Sequence, residues 1–158
     1  MKKAVEGKGL APAIGPYSAG ITYGDMIFTS GQIAIDPHTG ELALGNSIEE
    51  ETERVLNNLQ AVLLAAGADL SCAVKTTIFL SSMDLFPNIN EVYGRYFQEP
   101  YPARETVAVK TLPKNVNYAI KTSTLKQFLN SKDIHYEESG SGLFSFFGNS
   151  NDSINDLI

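Results

Sequence analysis

Hydrophobic and polar positions change period several times along the chain, and each change predicts an element. Residues 18–23 and 26–30 are short β-favouring runs on either side of Gly24-Asp25, the pattern of a hairpin. Ile33-Ala34-Ile35 extends the second run as strand. Ser47 with Glu50 three residues later forms a capping box, after which Val55, Leu56, Leu59, Val62, Leu63 and Ala66 recur at helical spacing up to Gly67, placed to end the helix in a left-handed cap. Residues 73–80 join β-branched and aromatic positions into a largely buried strand. Asp84 is placed to cap a second helix carrying Phe86, Ile89, Tyr93, Tyr96 and Phe97, with Pro87 tolerated in its first turn. Glu99-Pro100-Tyr101-Pro102 stops that helix, an alternating strand follows, and residues 116–122 supply the last strand. The order β-β-α-β-α-β-β predicts an α+β sandwich with its helices on one face of a sheet.

The interruptions of these patterns hold the candidate chemistry. Proline at 102 fixes its own φ and extends Tyr101, so the strand beginning there delivers Arg104 on a stiff approach. A planar guanidinium held in this way suits a small carboxylate, to which it can give two parallel hydrogen bonds; the bland reading is a surface arginine beside Glu105. Two prolines and two glycines in residues 11–20 forbid a helix and predict a pinned loop that places Tyr17, either at a site or as a plug at the core edge. Ser30 and Gly31 fall where the strand pattern breaks, which marks a bulge or a close backbone approach; a bare amide at Gly31 is able to hold a carboxylate oxygen, and a simple strand irregularity explains the same residues. Asn90 and Tyr93 lie on the second helix within reach of a pocket, although packing accounts for Tyr93 equally well. His38 sits in the Asp36-Pro37-His38-Thr39-Gly40 turn and reads as a solvated loop residue. The acids Glu49, Glu50, Glu51 and Glu53 read as first-turn charges favouring the helix dipole.

Charge and cysteine content narrow the class. Acidic residues outnumber basic ones by 18 to 12, net −6, with no Lys/Arg run; this argues against nucleic-acid and membrane footprints. The single Cys72 excludes an internal disulfide and, beside Ala73 and Val74, reads as a small buried hydrophobe. A reducing compartment and a cytoplasmic location are expected, since no apolar run of signal-peptide length follows Met1. Two histidines and one distant cysteine give no metal-ligand spacing, so no metal is expected.

Gly15-Pro16-Tyr17-Ser18, Phe28-Thr29-Ser30-Gly31-Gln32, Leu64-Ala65-Ala66-Gly67, Val74-Lys75-Thr76-Thr77, Pro102-Ala103-Arg104 and Leu112-Pro113-Lys114, in this order and spacing, resemble the RidA (YjgF) family over residues 1 to about 117. The resemblance implies a chorismate-mutase-like fold and a homotrimer with pockets at the subunit interfaces. It also implies hydrolysis of reactive enamines and imines, such as 2-aminoacrylate, 2-iminobutanoate and 2-iminopropanoate, to 2-oxo acids and ammonia, without a cofactor. Carried over by position, Arg104 and the Gly31 amide bind the substrate carboxylate, while Tyr17, Ser30, Asn90 and Thr106 line the pocket. Ribonuclease activity that inhibits translation has also been described for the family; the acidic balance and the lack of a histidine pair rank it last.

The chain departs from the family pattern at its final strand. The usual Val-Glu-Ile-Glu-Ala-Ile-Ala is replaced by Asn117-Tyr118-Ala119-Ile120-Lys121-Thr122-Ser123, which puts Lys121 at the catalytic position where a glutamate places the attacking water. A carboxylate-binding or interaction module with reduced catalysis is therefore the alternative reading. Residues 1–123 are expected to form the RidA-like domain. Residues 124–158 form an atypical, partly flexible extension, with a helical patch at Leu125, Phe128 and Leu129 and an apolar cluster in residues 143–147.

Overall fold

The computed structural model describes residues 1–13 and 15–125. Strands β1 (Lys3–Ala4), β2 (Gly20–Tyr23), β3 (Met26–Thr29), β4 (Ala73–Leu80), β5 (Ala103–Ala108) and β6 (Tyr118–Leu125) make one sheet in the order β1-β2-β3-β6-β4-β5. Helices α1 (Ile48–Ala65) and α2 (Phe86–Tyr96) pack together and cover one face of it. β4 and β5 pair in parallel across α2, and the other pairs are antiparallel. The α+β class expected from the sequence is the one observed, with β1 added: Lys3 and Ala4 pair with Thr22 and Ile21, a contact too short for periodicity to reveal.

Local signals account for most boundaries. The β2–β3 hairpin turns on Gly24 at φ +56, a conformation that glycine adopts without steric cost. Ser47 caps α1 by accepting from the Glu50 N–H, and Glu50 returns a carboxylate oxygen to the Asn46 N–H. At the other end Gly67, φ +84, donates to Leu64 O and Ala68 donates to Leu63 O, the paired bonds that close a helix through a left-handed residue.

Four local expectations are corrected. Residues 33–35 are not a strand; only the isolated bridges Gln32↔Ile120 and Ile35↔Leu42 remain. The Asn58 side chain on α1 donates to the carbonyls of Ile33 and Ile35, so a helix, not a neighbouring strand, satisfies this backbone. Asp84 does not cap α2: Ser82 accepts the Asp84 N–H at the start of a short 3-10 turn that leads into the helix. Leu125 is not helical, because β6 continues through Thr124 and Leu125, opposite Ile27 and Met26. Phe128, Leu129 and residues 143–147 lie outside the described residues. Cys72 is half-buried rather than buried, its thiol 3.8 Å from an Asp69 carboxylate oxygen.

The core lies between the sheet and the helices. Ile27, Ile78, Leu80, Tyr118 and Ile120 pack against Val55, Leu56, Leu59, Leu63, Ile89 and Val92, all fully buried; each such aliphatic side chain contributes about 1.5–3 kcal/mol. Tyr118 is the exception in chemistry: its hydroxyl has no hydrogen-bond partner among the described residues, and burial pushes its pKa up. Tyr118→Phe keeps the ring and deletes the orphan group, so it is expected to stabilise the fold by about 1 kcal/mol or more. Thermal unfolding checks this, and a lowered Tm would show that the hydroxyl is in fact paired. Among the described residues no helix covers the sheet's other face. Register places Tyr23, Phe28, Val107 and Leu125 there, each more than a third exposed, together with Lys75, Thr77, Glu105 and Lys121.

Candidate functional site

Arg104 stands opposite Thr76 on edge strand β5, with its side chain on the helix face of the sheet. Its Nη1 donates to Asn90 Oδ1 at 2.8 Å. Its guanidinium carbon lies 4.8 Å from the centre of the Tyr93 ring and 5.4 Å from that of Phe86, within cation–π range of both. Phe86, Asn90 and Tyr93 share one face of α2 because they are spaced i, i+4, i+7. Tyr93 is itself fixed: its hydroxyl and that of Thr76 are 3.0 Å apart, and its ring stacks on Phe97 at 4.2 Å. Burial raises the Tyr93 pKa, opposed by Thr76 and Arg104, so the phenol stays neutral and the arginine rests on an uncharged platform. Thr106, two residues along β5 on the same side, is half-buried. Arg104, Asn90 and Thr106 thus form one group. A guanidinium has five donors, so the Asn90 bond leaves a fork for a carboxylate.

A second group lies elsewhere. Tyr17, Ser30, Gly31 and Gln32 line a cavity of about 410 Å³ with Pro12 and Pro113. Ser30 clamps the proline-rich loop to the end of β3, its N–H donating to Ala19 O and its hydroxyl to Ser18 O at 2.6 Å. That use of the hydroxyl is structural as well as site-lining. Gln32 N–H donates to Ile120 O, whereas the Gly31 N–H between these two has no partner among the described residues. A Cβ at Gly31 would meet nothing within 4 Å, so no backbone packs close on that side of the residue. The close backbone approach expected here is not observed.

These groups do not meet in one chain. β3 and β5 are separated by β6 and β4, so Gly31, just past β3, lies three strand spacings, or about 14 Å, from the Arg104 strand. Lys121 faces neither group. It stands on the open sheet face, 5.6 Å from the Phe79 ring, in a cavity of about 330 Å³ that it lines with Phe28, Lys75, Thr77, Glu105 and Ser123. The sequence reading missed Phe86 as part of the arginine platform, although its helical spacing from Asn90 was visible. It also missed Glu105 beside Lys121, which only strand register reveals. His38 is exposed, with its N–H on Asp36 Oδ1, in keeping with a turn residue. Among the described residues no group of three or more His, Cys, Asp or Glu side chains could hold a metal ion, and no helix is long and apolar enough to cross a membrane.

Residues 8–125 match the family described as Endoribonuclease L-PSP. The crystal structure of a Thermotoga maritima protein superposes with a TM-score of 0.77 at 53% identity, covering 80% of this chain and 99% of that one. Escherichia coli TdcF with bound serine superposes with a TM-score of 0.73 at 35% identity, covering 78% and 98%. The chloroplastic Reactive Intermediate Deaminase A of Arabidopsis thaliana is 43% identical over 122 residues, 77% of this chain and 65% of that protein. The match continues through β6, past the region whose motifs carry the sequence resemblance, so the altered last strand is still a family strand. The chain belongs to the RidA family, that of the L-PSP proteins, and has its α+β fold.

Proposed function

We propose that this protein is a hydrolytic deaminase that converts reactive 2-imino acids, 2-iminobutanoate and 2-iminopropanoate among them, and their enamine tautomers such as 2-aminoacrylate, into 2-oxo acids and ammonia. The observation that carries the reading is the Arg104 group: a guanidinium held by Asn90 over two aromatic rings, with donors left for a carboxylate. The relative that binds serine holds a ligand with the same carboxylate and a nitrogen on the adjacent carbon, and another relative bears the name of a reactive intermediate deaminase. A protonated imine is already a strong electrophile. Orienting its carboxylate, placing water against the C=N carbon and moving a proton are sufficient, and no cofactor enters.

A carboxylate held by both Arg104 and the Gly31 amide needs two chains, since one chain keeps them about three strand spacings apart. The apolar open face, with Phe28, Val107 and Leu125, suits packing between copies. The assembly proposed is the homotrimer that the family resemblance implies, with its sites between subunits, and the location proposed is the cytoplasm. Two measurements on the full chain test this reading: ammonia release from freshly generated 2-iminobutanoate above the spontaneous rate, and light scattering at three times the 17.1 kDa chain mass. A monomer in solution would remove the shared site, and absence of ammonia release would remove the activity.

One observation favours a second reading, a carboxylate-binding module with reduced hydrolysis: Lys121, a cation, projects from β6 where the family pattern places a glutamate. In that case 2-oxobutanoate binds but ammonia release stays at the spontaneous rate. Ribonuclease activity has the least support, given the net charge of −6; RNA cleavage surviving in an Arg104→Ala protein would revive it.

A further inference from the structure

Gln32 is a buried polar residue, 8% exposed, in the wall of the cavity that also holds Gly31. Its backbone is clamped against β6: its N–H donates to Ile120 O at 2.8 Å and its carbonyl accepts the Ile120 N–H at 3.2 Å. The side-chain amide is oriented as well. Nε2 donates to Ser30 O at 3.2 Å, and because a carbonyl only accepts, the nitrogen end faces Ser30 and the oxygen end faces away. Among the described residues no hydrogen bond uses Oε1, and the Tyr118 hydroxyl is the one partnerless side-chain polar atom sealed from solvent, so Oε1 is accessible to a ligand. Its surroundings sharpen its role. Ala11, Pro12, Ala19, Ile33, Ile35 and Pro113 give the cavity apolar walls, the Ser30 hydroxyl proton is engaged by Ser18 O, and no charged side chain lines the cavity among the described residues.

We propose that Gln32 Oε1 accepts a hydrogen bond from the imine nitrogen of the substrate, and so lets the site tell a 2-imino acid from the 2-oxo acid it becomes; this rests on the deaminase reading above. Substrate and product share the carboxylate assigned to Arg104 and the Gly31 amide, and they differ at the atom on the adjacent carbon. Gln32 follows Gly31 in the chain and lines the same cavity, so a donor from one residue and an acceptor from the next address neighbouring groups of one small ligand. A protonated imine brings N–H donors to Oε1, whereas a ketone oxygen brings only lone pairs and sets two acceptors against each other. Gln32 is a positioning residue. Its neutral amide takes no proton, but the bond favours the protonated, electrophilic form of the imine and is lost once oxygen replaces nitrogen, which favours release of the product.

The test uses the full-length chain and two stable ligands, 2-oxobutanoate and 2-aminobutanoate, whose ammonium group supplies the N–H donors that the oxo acid lacks. Titration calorimetry measures both affinities. Gln32→Met is close in size and deletes the acceptor; it is expected to weaken 2-aminobutanoate about tenfold, the low end for a hydrogen bond to a charged group, with 2-oxobutanoate unchanged within twofold. Ammonia release from freshly generated 2-iminobutanoate should show the same split, with KM raised by that factor and inhibition by 2-oxobutanoate unchanged. Gln32→Glu loses the bond to Ser30 O as Gln32→Met does but keeps an acceptor, so it should raise the preference for the amine over the oxo acid. The two variants share the structural loss and move the ligand ratio in opposite directions. Both affinities falling by one factor in each variant, or neither moving, makes Gln32 a brace of its loop and overturns its role at the imine, while an active wild type keeps the deaminase reading. Should Gln32→Met fail to fold, the ratio in Gln32→Glu decides alone, and a value at or below wild type overturns the role. A wild type that releases no ammonia overturns both.

Discussion

Arg104→Ala is expected to weaken 2-oxobutanoate binding about 100-fold, and Arg104→Lys about tenfold. A hydrogen bond to a charged group is worth roughly 1.5–3 kcal/mol and each 1.4 kcal/mol is tenfold, so losing two bonds of a fork or one of them gives these steps. Lysine retains the charge but not the planar pair of donors. The arginine's supports should matter less than the arginine itself. Asn90→Ala removes the 2.8 Å bond that orients the guanidinium but leaves the Tyr93 and Phe86 rings beneath it, so a loss of only a few-fold is expected. Titration calorimetry with the stable oxo acid measures all three without relying on turnover. Equal affinity in wild type and Arg104→Lys would make Arg104 a surface residue and remove the carboxylate half of the site.

Glu51→Ala is expected to destabilise the fold by about 3–5 kcal/mol, since each buried donor left unsatisfied costs about 1–3 kcal/mol. The side chain is 2% exposed. Its Oε1 accepts from the Asn117 and Tyr118 N–H groups at 2.8 and 3.1 Å, and its Oε2 accepts from Asn117 Nδ2 at 2.9 Å. Asn117 in turn ties to β4, its carbonyl accepting from Ser81 N–H and its Oδ1 from Ser81 Oγ. One carboxylate thus sets where β6 begins and joins α1 to the centre of the sheet. Glu51→Gln keeps one acceptor oxygen and should cost less than Glu51→Ala. Chemical denaturation measures the series, and a Glu51→Ala midpoint close to wild type would show that water or another donor set replaces the clamp.

The same residue shows where a local reading stops. Glu49, Glu50, Glu51 and Glu53 look alike as first-turn acids, and a dipole account treats them as one group. In the fold each has a different partner. Glu50 takes the Asn46 N–H, Glu49 accepts from Asn88 on α2, Glu53 pairs with Arg95 at 3.5 Å, and Glu51 is buried. Glu50 acts wholly within its own turn and Glu49 does so in part, through Ser47 and its own N–H, so only their roles were open to a rule about helix starts. The shift of residues 33–35 from strand to bridged loop has the same origin, because the Asn58 amide that satisfies their carbonyls arrives from a helix more than twenty residues away.

By itself the sequence determined the elements whose causes lie within a few residues: the β2–β3 hairpin at Gly24, α1 from Ser47 to its left-handed end at Gly67, the buried strand β4, and the stiff proline approach to Arg104. Capping, turn chemistry and apolar period act over one or two turns of chain, so they can be read without knowing what packs alongside. It also determined the family, through six short motifs in order. Only the tertiary structure decided that Arg104 and Gly31 sit three strands apart, that Glu105 stands in one row with Thr77 and Lys121, and that Glu51 is buried. Those facts follow from strand order and register, which arise when distant segments compete to bury the same apolar faces, and that competition is not encoded in any one stretch of the chain.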